Sequence, residues 1–288
     1  VENQTVTIQS LRPQNAAGVS GNLLDRISIQ HGPAALLGRF FLAADQAARD
    51  RGLSLRLHAD LHSLVETNHQ LRAEWGAPIV PVFNPNHSDL SAANSFWISG
   101  HDHTGQVVAT QAARLFDMAD TNVAAELTSL RLFYAAPQAH LASGSRCDVQ
   151  CPAASRISGR VVYSGGGWYH PTYRGCGLSK ILPRISRALA YAKWKSDFTI
   201  SLLETILVEK KVYQSYGYTN HDPLITLSGY REPLQLHLIW MQQAEMLEDL
   251  ARYVATAAAR PLANDVRITE TEETNISAPE RQGKSSRS

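Results

Sequence analysis

The sequence predicts an α/β protein, and three observations lead there. Residues 160–192 read as a buried strand, a glycine-bearing loop and an amphipathic helix in direct succession. Strand-like runs alternate with helical stripes through most of the chain, the pattern of a sheet covered by helices. A hydrophobic content of 44% in 288 residues is enough for one large or two modest domains with a sizeable core.

From the start of the chain, residues 1–20 are polar and unpatterned, with Pro13 and Gly18, and are expected to form a flexible arm. Residues 21–94 are expected to be a largely helical N-terminal portion. Within it, residues 34–51 carry Leu36, Leu37, Phe40, Phe41, Ala44, Ala47 and Ala48 at helical spacing, and Gly52 makes a natural stop. Residues 53–57 alternate like a strand, Asp60 caps a helix expected to run to Trp75, and residues 79–83 suggest another short strand.

The core is expected over residues 95–260. Residues 96–99 and 106–116 read as two strands joined by a hairpin turn through Gly100, His101, Asp102, His103, Thr104 and Gly105. The His101-Asp102-His103 triplet also offers metal-binding groups, but alternate residues of a strand face opposite ways, so a polar turn tip is the preferred reading and no metal is expected. Residues 121–134 have a helical look, whereas 136–155 are rich in Ser, Pro and Ala. Residues 121–155 are therefore read as an insertion, either part of an acceptor pocket or partner surface or a plain surface excursion.

The strand at 161–163 is followed by Gly165, Gly166 and Gly167, which remove side chains where something comes close to the backbone, and His170-Pro171 ends it. Arg174, Gly175 and Gly177 then precede a helix with apolar residues at Leu178, Ile181, Leu182, Ile185, Leu189 and Ala192. A helix start has N–H groups without intrahelical partners and the positive end of the macrodipole, so it attracts phosphate. Pro183 lies early in this helix; either the helix begins later than the loop suggests or it is kinked. Lys180, Arg184 and Arg187 fall opposite the apolar stripe and read as a solvated face, with contact to nucleotide phosphates as the alternative.

Farther on, residues 198–203 read as a strand, 204–216 as a helix ending at Gly217, and 224–227 and 234–238 as last strands. From Trp240 through Leu247, Leu250 and Val254 an amphipathic helix reaches about Ala259; its stripe is expected to pack on the protein's own core, with a homodimer as the alternative. Residues 264–288 have almost nothing to bury and are expected to be a disordered tail.

Composition narrows the function classes. A net charge of +1 gives no general attraction to nucleic acid or an anionic membrane, and neither partner is expected. There is no long apolar run and no basic-then-apolar leader pattern, which makes a cytoplasmic location the default expectation. Cys147, Cys151 and Cys176 are too few for a disulfide framework, and the first two are read as loop thiols.

The wording of the glycine loop is more specific than its composition. Arg174-Gly175-Cys176-Gly177-Leu178-Ser179 resembles the R/Q-x-x-G-x-G/A signature of the GNAT acyltransferases, with Ser179 where that family has Gly or Ala. Val212-Tyr213-Gln214-Ser215-Tyr216-Gly217-Tyr218 is similar to the family's later helix end. The resemblance covers roughly residues 96–238 and implies a GNAT-like central mixed β-sheet flanked by helices, with a V-shaped acyl-CoA cleft.

It further implies acetyl-CoA as cosubstrate and an amine acceptor of unknown identity. Arg174, Gly175, Cys176, Gly177, Leu178 and Ser179 would hold the cofactor's diphosphate, and backbone groups at Gly167, Trp168 and Tyr169 would hold the acyl carbonyl. Tyr213 matches the position of the general acid that protonates the leaving thiolate. Asp117, Glu204, His170 and an ordered water are all open as the base. Two rivals stand beside this reading: a non-catalytic coenzyme A-binding module for sensing or assembly, and a metal-dependent hydrolase built on His101, Asp102 and His103.

Overall fold

The computed structural model describes residues 21–229 and 232–259, so the arm expected over 1–20 and the tail expected over 264–288 lie outside the described residues. In chain order the elements are β1 (Gly21–Asn22), α1 (Ala34–Arg49), β2 (Ser54–His58), α2 (His62–Gln70), α3 (Arg72–Trp75), β3 (Ser95–His101), β4 (Val107–Met118), α4 (Val123–Thr128), α5 (Gln138–Ala142) and β5 (Arg146–Val149). There follow β6 (Gly159–Tyr169), α6 (Leu182–Trp194), β7 (Phe198–Glu204), α7 (Thr205–Glu209), α8 (Val212–Ser215), β8 (Asn220–Ser228), β9 (Leu234–Gln242) and α9 (Gln243–Ala258). One nine-stranded sheet takes them in the order β1-β2-β3-β4-β6-β7-β9-β8-β5. Its β6–β7 pair is parallel and its other pairs are antiparallel, so the sheet is mixed and the protein α/β.

Strand alternation sends side chains into two cores, one on each face of the sheet. Phe96, Ile98 and Val162 pack with Leu37 and Phe40 of α1, Ile185 and Leu189 of α6, and Leu250 of α9. Their neighbours Trp97, Val161 and Tyr163 face the other way, among Leu64 of α2, Leu127 of α4, Phe83 and Phe133. Phe40, Leu37, Ile185 and Leu250 are completely buried, each worth about 1.5–3 kcal/mol of transfer free energy.

The helix ends follow local chemistry. After α1 the chain turns back at Gly52, whose φ of +75° suits glycine. The α9 start carries a capping box between Gln242 and Glu245. Pro183 falls in the first turn of α6, where its missing N–H costs nothing, so the helix begins late and is not kinked by it.

Several expectations are corrected. Residues 79–83 hold a 3₁₀ turn, Pro81–Phe83, and not a strand, because Pro81 cannot donate to a ladder. The portion expected to be largely helical also gives β1 to the sheet, beside the expected strand β2. The helix expected through 121–134 is confined to α4, and the irregular 136–155 contains α5 and β5, the latter closing the far edge of the sheet against β8. Trp240 belongs to β9 and not to the last helix. The helix expected over 204–216 is broken into α7 and α8 at Lys211, whose φ is +55°.

Cys147 and Cys151 are buried, with Cys147 in β5, and burial pushes their thiols up to about 12 and about 11. Lys180, Arg184 and Arg187 do not form a solvated row: Arg187 is completely buried and Arg184 is 12% exposed at its side chain, both paired with Asp249 of α9.

Candidate active site

The parallel pair at the centre of the sheet opens into a V. Val161, Val162 and Tyr163 of β6 stand opposite Phe198, Thr199 and Ile200 of β7, and there the ladder stops. Beyond it β6 stays paired with β4 as far as Tyr169, while β7 stays paired with β9 as far as Glu204. The two strands therefore diverge, leaving one backbone edge of each without a strand partner among the described residues. Such edge amides are the donors that a bound carbonyl group needs.

A bulge sharpens the divergence. Thr110 of β4 faces Trp168 but Ala112 faces Gly165, so Gln111 alone opposes Gly166 and Gly167. Gly166 takes φ +59°, and the Thr110 hydroxyl donates to its carbonyl at 2.8 Å. The protein's own residues account for part of the glycine triplet: a Cβ at Gly165 would come within 3.1 Å of Phe83, and one at Gly167 within 3.1 Å of the Gln111 Oε1.

Between the strands lies a cavity of about 180 Å³ walled by Ser164, Gly165, Gly166 and Gly167 on one side and Ser201, Leu202 and Leu203 on the other. Tyr216 and Tyr218, from the turn after α8, and Pro183 and Leu207 complete it. Gln111 donates to Ser164, which in turn bonds Ser186 of α6 at 3.2 Å, while the buried Tyr218 hydroxyl has no hydrogen-bond partner among the described residues. Burial raises the Tyr163 phenol to about 12 and raises those of Tyr216 and Tyr218, which keeps all three protonated at neutral pH. No carboxylate or imidazole is among the residues lining this cavity.

Next along β6 comes the glycine turn. Gly175 and Gly177 have φ +80° and +78°, and a 3₁₀ turn, Leu178–Lys180, leads from them into α6. Among the described residues no hydrogen bond uses the amides of Gly175, Cys176, Gly177, Leu178 and Ser179, whereas Lys180 and Ile181 already donate to Gly177 and Leu178. Five successive donors thus stand at a helix entrance, beside a cavity of about 270 Å³ lined by Tyr169, Tyr173, Arg174, Gly175, Gly177, Leu178, Ser179 and Lys180. Two of those residues are cationic and none is acidic. The arrangement suits a diphosphate.

Sequence reasoning missed one cation here. Arg51, at the end of α1, donates through Nε to the Cys176 carbonyl at 2.6 Å, and its guanidinium lies about a van der Waals contact from where a Cβ of Gly177 would stand. Only the fold brings residue 51 to residue 176.

The residues expected to grip the cofactor are thus largely brought together, but the Trp168 side chain and the expected acid, Tyr213, stand apart. The Trp168 side chain is 5% exposed, stacks on Trp75 with ring centroids 5.0 Å apart, and donates to the Glu74 carbonyl, so only its backbone is on the cleft strand. Tyr213 lies in α8, packs its ring on His221 at 4.8 Å, and accepts at its hydroxyl from Gln214. It lines a separate cavity with Arg184 and Arg252; the tyrosines of this block on the V itself are Tyr216 and Tyr218.

The His101-Asp102-His103 triplet is a turn. Asp102 accepts from the amides of Thr104 and Gln106 and from the Thr104 hydroxyl, while His101 bonds Ser99 and the Gly105 carbonyl through its two ring nitrogens. Among the described residues no group of three or more His, Cys, Asp or Glu side chains is placed to hold a metal ion.

No family model matches the sequence, and no curated protein matches it. Solved structures do align with the fold. A presumptive acetyltransferase from Acinetobacter baylyi shares 16% identity at a TM-score of 0.30, over 51% of this chain and 63% of its own; this chain thus spans less than two thirds of it. The GNAT domain of an S. lividans protein shares 10% identity at a TM-score of 0.36, over 66% and 94% of the two chains. A spermidine N-acetyltransferase from Vibrio cholerae, solved with CoA and spermine, shares 12% identity at a TM-score of 0.34, over 67% and 98%. At such scores the likeness is loose, and the site's own geometry has to carry any functional reading. No helix among the described residues is long and apolar enough to cross a membrane.

Proposed function

We propose that this protein is a GNAT-type N-acetyltransferase that moves an acetyl group from acetyl-coenzyme A to an amine. The observation that carries the reading is the run of five unengaged amides at residues 175–179, four of whose residues line a basic cavity beside the strand that borders the V. With the diphosphate held there, the thioester arm would follow β6 into the cleft and present its carbonyl to the edge amides at Gly167, Trp168 and Tyr169. The amine nitrogen attacks that carbonyl carbon, the C–S bond breaks, and the departing thiolate takes a proton.

A tyrosine of the 212–218 block supplies that proton. The motif favours Tyr213, while the cavity favours Tyr216, which is protonated at neutral pH and half-buried, whereas Tyr218 is buried against Arg187. We take Tyr216 as the donor. With neither carboxylate nor imidazole lining the cleft, the amine arrives neutral and, once its nitrogen has bonded to the carbonyl carbon, gives up an N–H proton to water. That same lining favours, as a second reading, a module that binds coenzyme A without turnover.

Calorimetric titration with acetyl-coenzyme A tests the first step. Wild type is expected to bind at micromolar concentration and Gly177→Trp, which fills the cavity, is expected not to bind. Thiol release measured against a panel of amines then separates the readings: binding with no release for any amine favours the module, and no binding removes both.

A further inference from the structure

Asp249 lies far from the cleft in sequence, on the last helix, yet four segments meet around it. Arg184 of α6 grips its carboxylate with two bonds, Nε at 2.8 Å and Nη2 at 3.0 Å, and Arg187, one turn on, adds a third at 3.1 Å. The same guanidinium groups hold backbone carbonyls: Arg184 Nη1 donates to Lys180 and to Ser215, and Arg187 Nη1 donates to Tyr216 at 2.7 Å. Lys180 ends the glycine turn, and Tyr216 walls the cleft. Gly217 makes room for the cluster, since a Cβ there would stand 2.6 Å from both the Arg184 Nη2 and the Asp249 Oδ2.

We propose that Asp249 is a positioning residue, fixing through Arg184 and Arg187 the relative placement of the glycine turn and the Tyr216 side of the cleft. The geometry argues against a purely local role. A surface ion pair joins two side chains, but here a carboxylate that is 7% exposed orients two arginines that also donate to the carbonyls of Lys180, Ser215 and Tyr216, leaving the buried Arg187 Nε without a partner among the described residues. Arg187 is completely buried and loses solvation for its charge, so without Asp249 neither guanidinium has an anion to hold it in place. Releasing the carboxylate frees both ends of the site at once.

The consequence for function rests on the acetyltransferase reading, but the clamp itself can be read without it. Asp249→Asn keeps the shape and removes the charge; Gly217→Ala keeps every charge, wedges a methyl between the partners and strains the backbone at φ +92°, so for that variant the 175–182 peptide is the one that reads the clamp. Hydrogen exchange on both full-length variants is expected to quicken severalfold in peptides covering 175–182 and 210–218, with β3 and β4 unchanged. Acetyl-coenzyme A affinity is expected to fall about tenfold and kcat at least as much, with Asp249→Glu recovering part of both.

Should Asp249→Asn fail to fold, Gly217→Ala carries the test. Unchanged exchange in both peptides overturns the proposal, as does exchange that rises uniformly over the sheet. Failure of wild type to bind acetyl-coenzyme A overturns the enzymatic reading alone, since the exchange pattern still decides whether the clamp exists.

Discussion

Replacing Gly175 with alanine separates what the glycine turn does for the fold from what it does for a ligand. At φ +80° an L-residue pays about 1–2 kcal/mol for the left-handed backbone. No other cost is expected, because a Cβ at this position meets nothing within 4 Å. For a protein of this size each kcal/mol lowers Tm by about 2–4 °C, so thermal melting is expected to drop by a few degrees and no more. That open space is the side from which a phosphate oxygen would approach the amides. Losing one amide-to-phosphate bond costs about 1.5–3 kcal/mol, or roughly 10- to 150-fold in Kd. Titration calorimetry with acetyl-coenzyme A and melting of the same preparation read the two effects together. A variant that melts a few degrees lower but binds with unchanged affinity would refute the diphosphate assignment.

The two tyrosines are separable by the same enzyme assay: Tyr216→Phe is expected to lower kcat about 100-fold with little change in acetyl-coenzyme A affinity, and Tyr213→Phe to change kcat by less than threefold. The reverse pattern would return the acid role to Tyr213. Thiol titration of the native protein at pH 8 is expected to count one reactive cysteine, the exposed Cys176, because burial raises Cys147 and Cys151 far above that pH; acetyl-coenzyme A should slow the reaction, and three fast thiols would contradict the burial. His58 is held down to about 4 by burial first and by His101 and Arg56 after it. The unfolded chain therefore binds a proton near pH 6.5 that the folded one refuses until about pH 4, so its stability contribution is complete above pH 6.5 and is lost as pH falls to 4. Melting temperature between those values should decline less steeply in His58→Gln than in wild type.

The parts of the site that share a short stretch of chain were legible in the sequence. Gly175 and Gly177 mark a left-handed turn before a helix, and the 161–163 run marks the strand that leads to it. Parts that depend on distant partners were not. Periodicity placed Arg184 and Arg187 on one face of α6, but the residue opposite that face comes from 65 positions downstream, so a charged row looked solvated when it was sealed against Asp249. Arg51 was hidden for the same reason. Four residues of β5 are too few to show a period among the Ser, Pro and Ala around them, and what makes them a strand is the edge of β8. The proposed choice of Tyr216 over Tyr213 rests on which side chain lines the cavity, and the break at Lys211, where a lysine takes a left-handed conformation, is not announced by its residue type.

The journey of β5 also bears on how the molecule is made. The chain leaves the sheet after β4, lays down β5, and returns to place β6 beside β4, although the neighbour of β5 is not reached until residue 220. On a ribosome, Arg146–Val149 must wait for some seventy more residues to be synthesised before it can dock. During that interval the edge of β5 has no strand partner, and the nascent protein is open there to sticking that the finished one resists.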